Sequence, residues 1–308
     1  MAERMFNKVL EEIFTEKGIA WASYSYGWVY DLHRDGRHAR LLGYHFGLND
    51  DASSLICQDK SAASDILAGH GIPHVHHSFF YSPTSPEYMP AAGEWESLTA
   101  LLRQHGTLVC KDNVGTGGKS VVVVRNQREL EAAVYAIFAT GSNLCVCPYV
   151  QVQEEYRVIL LEDQPRIVYK KVRPSVTGDG VSSVRELYLG ALGNEGAALP
   201  LPSADLVDTV PADGEVVPLE WRHNLGQGAH ASLDVDDAVR PSVCALAISA
   251  AKALGMRFAS VDVIQTDAGL QVLEVNSGVM MDAFLAQGDE CYELGKSVYA
   301  DAVDVLFA

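Results

Sequence analysis

The 308-residue sequence has no apolar run of 18 residues, so no helix that crosses a bilayer is expected. It has no C-x-x-C pair. Cys57, Cys110, Cys145, Cys147, Cys244 and Cys291 lie mostly in apolar segments and read as reduced core cysteines of a cytoplasmic protein. Cations are scarce: 23 Lys and Arg against 40 Asp and Glu leave a formal net charge of −17. That balance argues against a nucleic acid or an anionic membrane as partner, because phosphate contacts of that kind need a basic surface. It does not exclude a buried phosphate site, which needs only a few local cations. No internal repeat or low-complexity tract is present. The opening "MAERMFNKVLEEIFTEKG" lacks the apolar core of a signal peptide and reads as an amphipathic helix with Phe6, Val9, Leu10 and Ile13 on one stripe.

What is present reads as globular, with 48% hydrophobic and 20% charged residues. The length exceeds a single core and points to two or three compact units. Three prolines in "SPTSPEYMPAAG", 82–93, mark a boundary, giving expected domains over 1–92, 93–148 and 149–308. "DKSAASDILAG" reads as a helix between Asp59 and Gly69, and "GIPHVHHSFF" as a strand. Helices are expected over 94–105, 127–140 and 239–254, and strands over 107–111, 120–124 and 144–150. A hairpin follows at 155–173, turning at Asp163-Gln164-Pro165. Ser183-Val184-Arg185-Glu186 is a capping box. Hairpins dominate, so the expected class is α+β with largely antiparallel sheets. The "HVHH" of residues 74–77 has metal-ligating side chains but no matching ligand group nearby in sequence.

"CKDNVGTGGKSVVVV", 110–124, has the look of a phosphate cradle. A nucleotide-hydrolase P-loop ends in Gly-Lys-Ser, as here, but it needs a first glycine where this chain has Asn113, and it must open a helix. Val121 to Val124 are β-branched and favour a strand. The segment is therefore strand, glycine loop, strand.

A second stretch, "SVDVIQTDAGLQVLEVN", places two alternating strands around Asp267-Ala268-Gly269. A three-residue loop sets Thr266 against Leu270 and Asp262 against Glu274, with Asn276 on the same side and Val261, Val263, Leu273 and Val275 on the other. Carboxylates facing each other repel unless a cation lies between them. Carboxylate and amide oxygens suit Mg²⁺ or Mn²⁺. A solvated polar face is the alternative. In "WRHNLGQGAH", Arg222 and Asn224 precede Gly226 and Gly228, a pattern for phosphate contact or for a surface turn. Glu155 and Arg157 begin the 155–173 hairpin, and Lys170, Lys171 and Arg173 end it. These cations either face solvent or contact a transferring phosphoryl group.

These four stretches, in this order, resemble the ATP-grasp superfamily of carboxylate–amine ligases, above all the ligase domain of cyanophycin synthetase, the glutathione synthetases and the enzymes that add glutamate to ribosomal protein. The resemblance covers about residues 57–308 and implies the ATP-grasp fold, with ATP held between two α+β units and a short N-terminal domain before them. Lys111 matches the family's phosphate-binding lysine. "NVGTGG" resembles its mobile hairpin lid, with Gly115, Gly117 and Gly118 supplying N–H donors and Ser120 or Thr116 a hydroxyl. "CPYVQVQEEYRV" is similar to the adenine-binding hinge, which implicates Cys147, Tyr149 and Val150. Cys147 stands where relatives often carry glutamate, leaving the ribose contact to Glu154 or Glu155. Lys171 stands where cyanophycin-type relatives have arginine. Asn224 matches the Asn-Leu-x-x-Gly-Gly asparagine. Asp262, Glu274 and Asn276 match the magnesium ligands.

The reaction so implied consumes ATP and a carboxylate to give an acylphosphate, which an amine attacks to form a peptide-like bond. Lys171, Arg222 and Arg157 would stabilise the transferring group. A small-molecule kinase using the same grasp and a non-catalytic ATP-binding protein are the competing readings. The expected substrates are an amino acid or peptide and an amine, and relatives commonly form homodimers. "WASYSYGWVYDLHRDGRHARLLGYHFGLN" either lines a substrate pocket or packs as strands on the core.

Overall fold

The structure, a computed structural model, describes residues 4–85, 94–115, 117–118, 120–192 and 199–308. Helix α1 (Met5–Glu16) buries Phe6, Val9, Leu10 and Ile13, the stripe its spacing predicts, and Phe14 with them. Strands β1 (Ala20–Tyr24), β2 (Val29–Arg34) and β3 (Arg37–Leu42) form an antiparallel meander. The β2–β3 turn is Asp35-Gly36, both with left-handed φ (52° and 77°), the two-residue geometry that matches strand twist. Tyr30, Leu32 and Leu41 join α1 in the core, so for these residues the packing reading of the N-terminal stretch holds.

Helix α2 (Asp51–Gln58) is not evident in the sequence pattern, although Asp50 caps it by accepting the Ser53 N–H at 2.9 Å. Helix α3 (Lys60–Gly69) follows, capped by Asp59, which accepts the Ala62 N–H at 2.8 Å. The strand expected over "GIPHVHHSFF" contracts to β4 (Ser78–Phe80). Helix α4 (Glu94–His105), strands β5 (Leu108–Asp112) and β6 (Val122–Val124), helix α5 (Gln127–Phe138) and strand β7 (Leu144–Pro148) complete an antiparallel sheet of order β4-β7-β5-β6. Leu108, Cys110, Leu144 and Val146 pack on Leu102, Leu130 and Ile137 of the helices. Alternation therefore turns Val109 and Lys111 to the opposite face.

Strands β8 (Glu154–Leu161) and β9 (Gln164–Val172) form the expected hairpin, but its turn is Glu162-Asp163, with φ of 49° and 60°, which pairs Leu161 with Gln164. The proline of the expected turn is Pro165, which lies within β9, opposite Leu160 and beside a register shift that accommodates a residue without N–H. Next come β10 (Ser175–Thr177), α6 (Val184–Leu192) with its capping box intact, β11 (Val216–Pro218), a 3₁₀ turn (Leu225–Gln227), β12 (His230–Ser232) and α7 (Arg240–Ala253). Strands β13 (Phe258–Thr266) and β14 (Gly269–Asn276) and helices α8 (Asp282–Leu285) and α9 (Asp289–Leu306) end the chain. The second large sheet runs β12-β9-β8-β13-β14, antiparallel throughout. One face, through Val158, Leu160, Val261 and Val263, packs on Val243, Ala247 and Ala250 of α7. The other carries Ile159, Tyr169 and Phe258 into the core with α1 and α9. All six cysteines are free, and all but Cys244 are buried, as the composition suggests.

Asn49 ties the N-terminal segment to the roots of β13 and β14. Its Nδ2 donates to the carbonyls of Phe258 (2.7 Å) and Ser277 (3.3 Å), and its Oδ1 accepts the N–H groups of Arg257 (2.8 Å) and Phe258 (2.9 Å). Asn49→Ala leaves four backbone groups without this partner. It is expected to cost about 2–3 kcal/mol of stability, read as a lower urea midpoint at unchanged slope.

Candidate active site

The β13–β14 hairpin sets the centre of the site. Its turn has two residues, Asp267-Ala268, not three, so Thr266 pairs with Gly269. Carried inward, that register would misalign the acidic pair by one residue. A bulge between Asp262 and Val263 restores it, and Asp262 lies directly opposite Glu274 as expected, with Asn276 opposite Ser260. The bulge also exchanges two neighbours. Val272 is buried on the α7 face, where the sequence pattern places Leu273. Leu273 instead packs with Ile264 on the side of Asp262.

Asp262 is 3% exposed and is not left to repel Glu274. Arg157, opposite it on β8, grips both oxygens, Nε to Oδ1 and Nη2 to Oδ2, each at 2.7 Å. Lys171 Nζ, from β9, lies 2.9 Å from Asp262 Oδ2 and 2.6 Å from Glu155 Oε1. His223 Nδ1 lies 3.6 Å from the other Glu155 oxygen. Two cations and two carboxylates thus form a buried, charge-balanced lattice. Burial opposes the Asp262 charge, but Arg157 and Lys171 outweigh it and hold the carboxyl far below the usual carboxylate range. Burial raises the Glu155 pKa, and Asp262 adds to that against the pull of Lys171. Burial, then the Arg173 and Lys171 charges, push His223 down to about 4, so it is neutral at pH 7 and its contact with Glu155 is not an ion pair.

Glu274 is the freer carboxylate, with 35% of its side chain exposed and Lys60 Nζ at 3.9 Å. Lys60 also donates to the carbonyls of Gly115 (2.6 Å) and Asn113 (3.3 Å), anchoring the base of the glycine loop. Sequence reasoning assigns this residue no role. The signal was nevertheless there, because a lysine at the first position of a helix opposes the helix dipole and needs a reason to be there. The loop's far end meets the 221–230 segment. Arg222 Nη1 donates to the Gly118 carbonyl at 3.1 Å and Asn224 Nδ2 to that of Gly117 at 3.2 Å. Gly118 has φ +72°, a conformation that favours glycine, and a Cβ there would come 2.9 Å from Asn224 Nδ2 and displace that side chain. Arg222 is itself forked onto Glu220, at 3.2 and 3.0 Å. Ser120 is exposed, while Thr116 lies outside the described residues.

Val109 and Cys147 of one sheet meet Ile264 and Leu273 of the other in an apolar cluster with Val123, Tyr149 and Val150 at its edge. Cys147 is part of this apolar cluster, and Glu155, with Oε1 on Lys171 and Oε2 3.6 Å from His223, sits within the ion lattice. Lys111 shares the face of Val109. Burial opposes its charge, and nearby Cys147, Cys145 and Glu274 raise its pKa. Cys145 is a neutral thiol at pH 7, its pKa pushed up to about 12 by burial. Beneath Glu274 a cavity of about 20 Å³ is lined by Lys60, Ser64, His74 and His77, and the Nε2 atoms of both histidines lack a partner. That space admits one water. Among the described residues, no cluster of three ligating groups includes the "HVHH" histidines.

Comparison with known proteins accords with this layout. Residues 209–288 match the family model described as a RimK-like ATP-grasp domain. A solved bifunctional glutathione synthetase from Pasteurella multocida superposes with a TM-score of 0.56 over 96% of this chain and 44% of that one, at 19% identity. The chain is 30% identical over 70% of its length to the glutathione biosynthesis bifunctional protein GshAB of Mannheimia succiniciproducens, covering 30% of that protein. This is an ATP-grasp protein. It is 23% identical over 95% of its length to cyanophycin synthetase of Nostoc sp., covering 34% of it. It therefore spans about a third of the curated relatives it matches here.

The depressed His223 pKa has a consequence for stability. Between pH 6.5 and 4 the unfolded chain binds a proton at this histidine that the folded chain does not, so stability falls as pH falls through that window. His45 and His77, also lowered by burial, act in the same direction, so the test is a difference. His223→Gln is expected to reduce the loss of unfolding free energy between pH 7 and pH 4.5 by about 2 kcal/mol, measured by urea titration at each pH.

Proposed function

We propose that this protein is an ATP- and Mg²⁺-dependent carboxylate–amine ligase that forms a peptide-like bond through an acylphosphate. One observation carries the proposal. The apolar cluster that joins the two sheets adjoins the place where two lysines, the glycine loop and an acidic hairpin face converge. On binding, the adenine ring inserts among these apolar side chains, and the polyphosphate lies toward Lys60 and Lys111. On this reading, domains over 93–148 and 149–308 grip the nucleotide, and 1–92 lies on the substrate side.

Asp262, Glu274 and Asn276 offer oxygen donors on one hairpin face, a set suited to magnesium. Lys171 and Arg157 leave Glu274 as the less committed carboxylate. When bound there, magnesium supplies neutralisation of phosphate charge. Lys60 and Lys111 hold the phosphates of ATP while a substrate carboxylate oxygen attacks the terminal phosphorus and ADP departs. The amine nitrogen then attacks the acyl carbon, loses a proton, and phosphate leaves. Arg222 and Asn224 hold the glycine loop closed through its Gly118 and Gly117 carbonyls, which excludes water from the acylphosphate. Lys171, next to Asp262, contributes positive charge near the transferring group. The GshAB relative and the glutathione synthetase neighbour support an amino acid or short peptide as the carboxylate substrate.

Incubation with Mg-ATP, pooled amino acids and short peptides should release ADP only when a carboxylate and an amine are both present. Asp262→Ala combined with Glu274→Ala should abolish release. A stable phosphorylated product without any amine would make the protein a kinase instead. Gly118→Ala, which clashes with Asn224 only in the closed loop, is expected to lower kcat by about tenfold or more with little change in unfolding midpoint.

A further inference from the structure

Among the described residues, one cluster of three metal-ligating groups has its donor atoms mutually within 4.8 Å, and it lies outside the proposed nucleotide site on the N-terminal meander. It consists of Asp31, His33 and His38. We infer that this face of the β2–β3 hairpin is a binding site for a late first-row divalent ion, zinc being the simplest probe.

Three features make the cluster a built site. His33 and His38 are directly opposed across an antiparallel pair, with ring centroids 4.7 Å apart. Asp31 is two residues before His33, so its side chain rises on the same face. Its carboxylate already touches both imidazoles: His38 Nε2 hydrogen-bonds to Oδ1, and His33 Nε2 lies 3.6 Å from Oδ2. Ligand atoms bound to tetrahedral zinc at about 2.0–2.1 Å are about 3.3–3.5 Å apart, so small rotations of the two rings bring the donors to coordinating positions.

The scaffold holds that face in place. Tyr30, Leu32 and Leu41 alternate with the ligands and are fully buried, so a register slip would expose three core side chains. The tight Asp35-Gly36 turn closes the hairpin one residue pair beyond His33 and His38. Arg40, opposite Asp31, donates from Nε to Oδ1 at 3.0 Å. It places the carboxylate when no ion is present and must yield that oxygen when one binds, which lowers affinity without blocking the site. Two imidazoles and one carboxylate suit Zn²⁺, Ni²⁺ or Cu²⁺ over Mg²⁺ and leave a coordination position open to water or another ligand.

The test uses full-length protein without a histidine tag, stripped with chelator and titrated with zinc chloride by calorimetry, with Co²⁺ absorption as a second reading. One ion per chain should bind with a Kd below about 100 μM, and His33→Ala and His38→Ala should each weaken that binding by about tenfold or more. All three ligands are outside the hydrophobic core, so both variants should fold, which circular dichroism checks. Absence of saturable binding in the wild type, or binding that survives in the double variant His33→Ala/His38→Ala, overturns the inference.

Discussion

The rest of the site depends on the buried pairing of Arg157 with Asp262. An isolated aspartate at 3% exposure would be far too costly to keep ionised. Two parallel hydrogen bonds from Arg157 and a third contact from Lys171 offset that cost. Lys171 in turn requires Glu155. Removing one partner from such a lattice costs about 3–5 kcal/mol, because it strands a buried charge. The lattice lies across three adjacent strands, β9, β8 and β13, and the open carboxylate, Glu274, is on the next, β14. The sheet thus converts sequence-distant residues into one row with its buried end at Lys171 and its more exposed end at Glu274.

The second element is mechanical. The glycine loop has no regular structure to hold it, yet it is fixed at both ends by side chains from other elements: Lys60 at its base, Arg222 and Asn224 at its tip. All three donate to backbone carbonyls, which any loop sequence offers. Glycine suits the loop in conformation and clearance, most clearly at Gly118. A loop held by a few exchangeable hydrogen bonds can open at low cost, which a site that admits a nucleotide needs.

Much of this was legible in the sequence because it follows local rules. The α1 stripe, the capping box at Ser183, the strand–loop–strand form of residues 108–124 and the pairing of Asp262 with Glu274 all came from period, turn chemistry and branching. What escaped was non-local. No periodicity announces the bulge that exchanges Val272 and Leu273, since it compensates for a turn one residue shorter than expected. The role of Arg157 depends on β8 lying beside β13, and that of Lys60 on α3 lying against the glycine loop. The resemblance leaves the ribose contact to Glu154 or Glu155, and no local pattern shows that strand pairing sets Glu155 against Lys171. Of the "HVHH" histidines, His74 and His77 line the cavity beneath Glu274, and among the described residues the metal-ligand geometry is on the β2–β3 hairpin instead.

The central claim is that the nucleotide binds where the two sheets meet, with its base among the apolar side chains and its phosphates toward Lys60, Lys111 and Glu274. A crystal structure with Mg²⁺ and a non-hydrolysable ATP analogue tests it most directly. The account predicts the adenine between Val109 and Cys147 on one side and Ile264 and Leu273 on the other, with the terminal phosphate under the glycine loop and the ion on Glu274 and Asn276. A nucleotide bound elsewhere, or a base among these side chains with its phosphates directed away from Lys60 and Lys111, would contradict it.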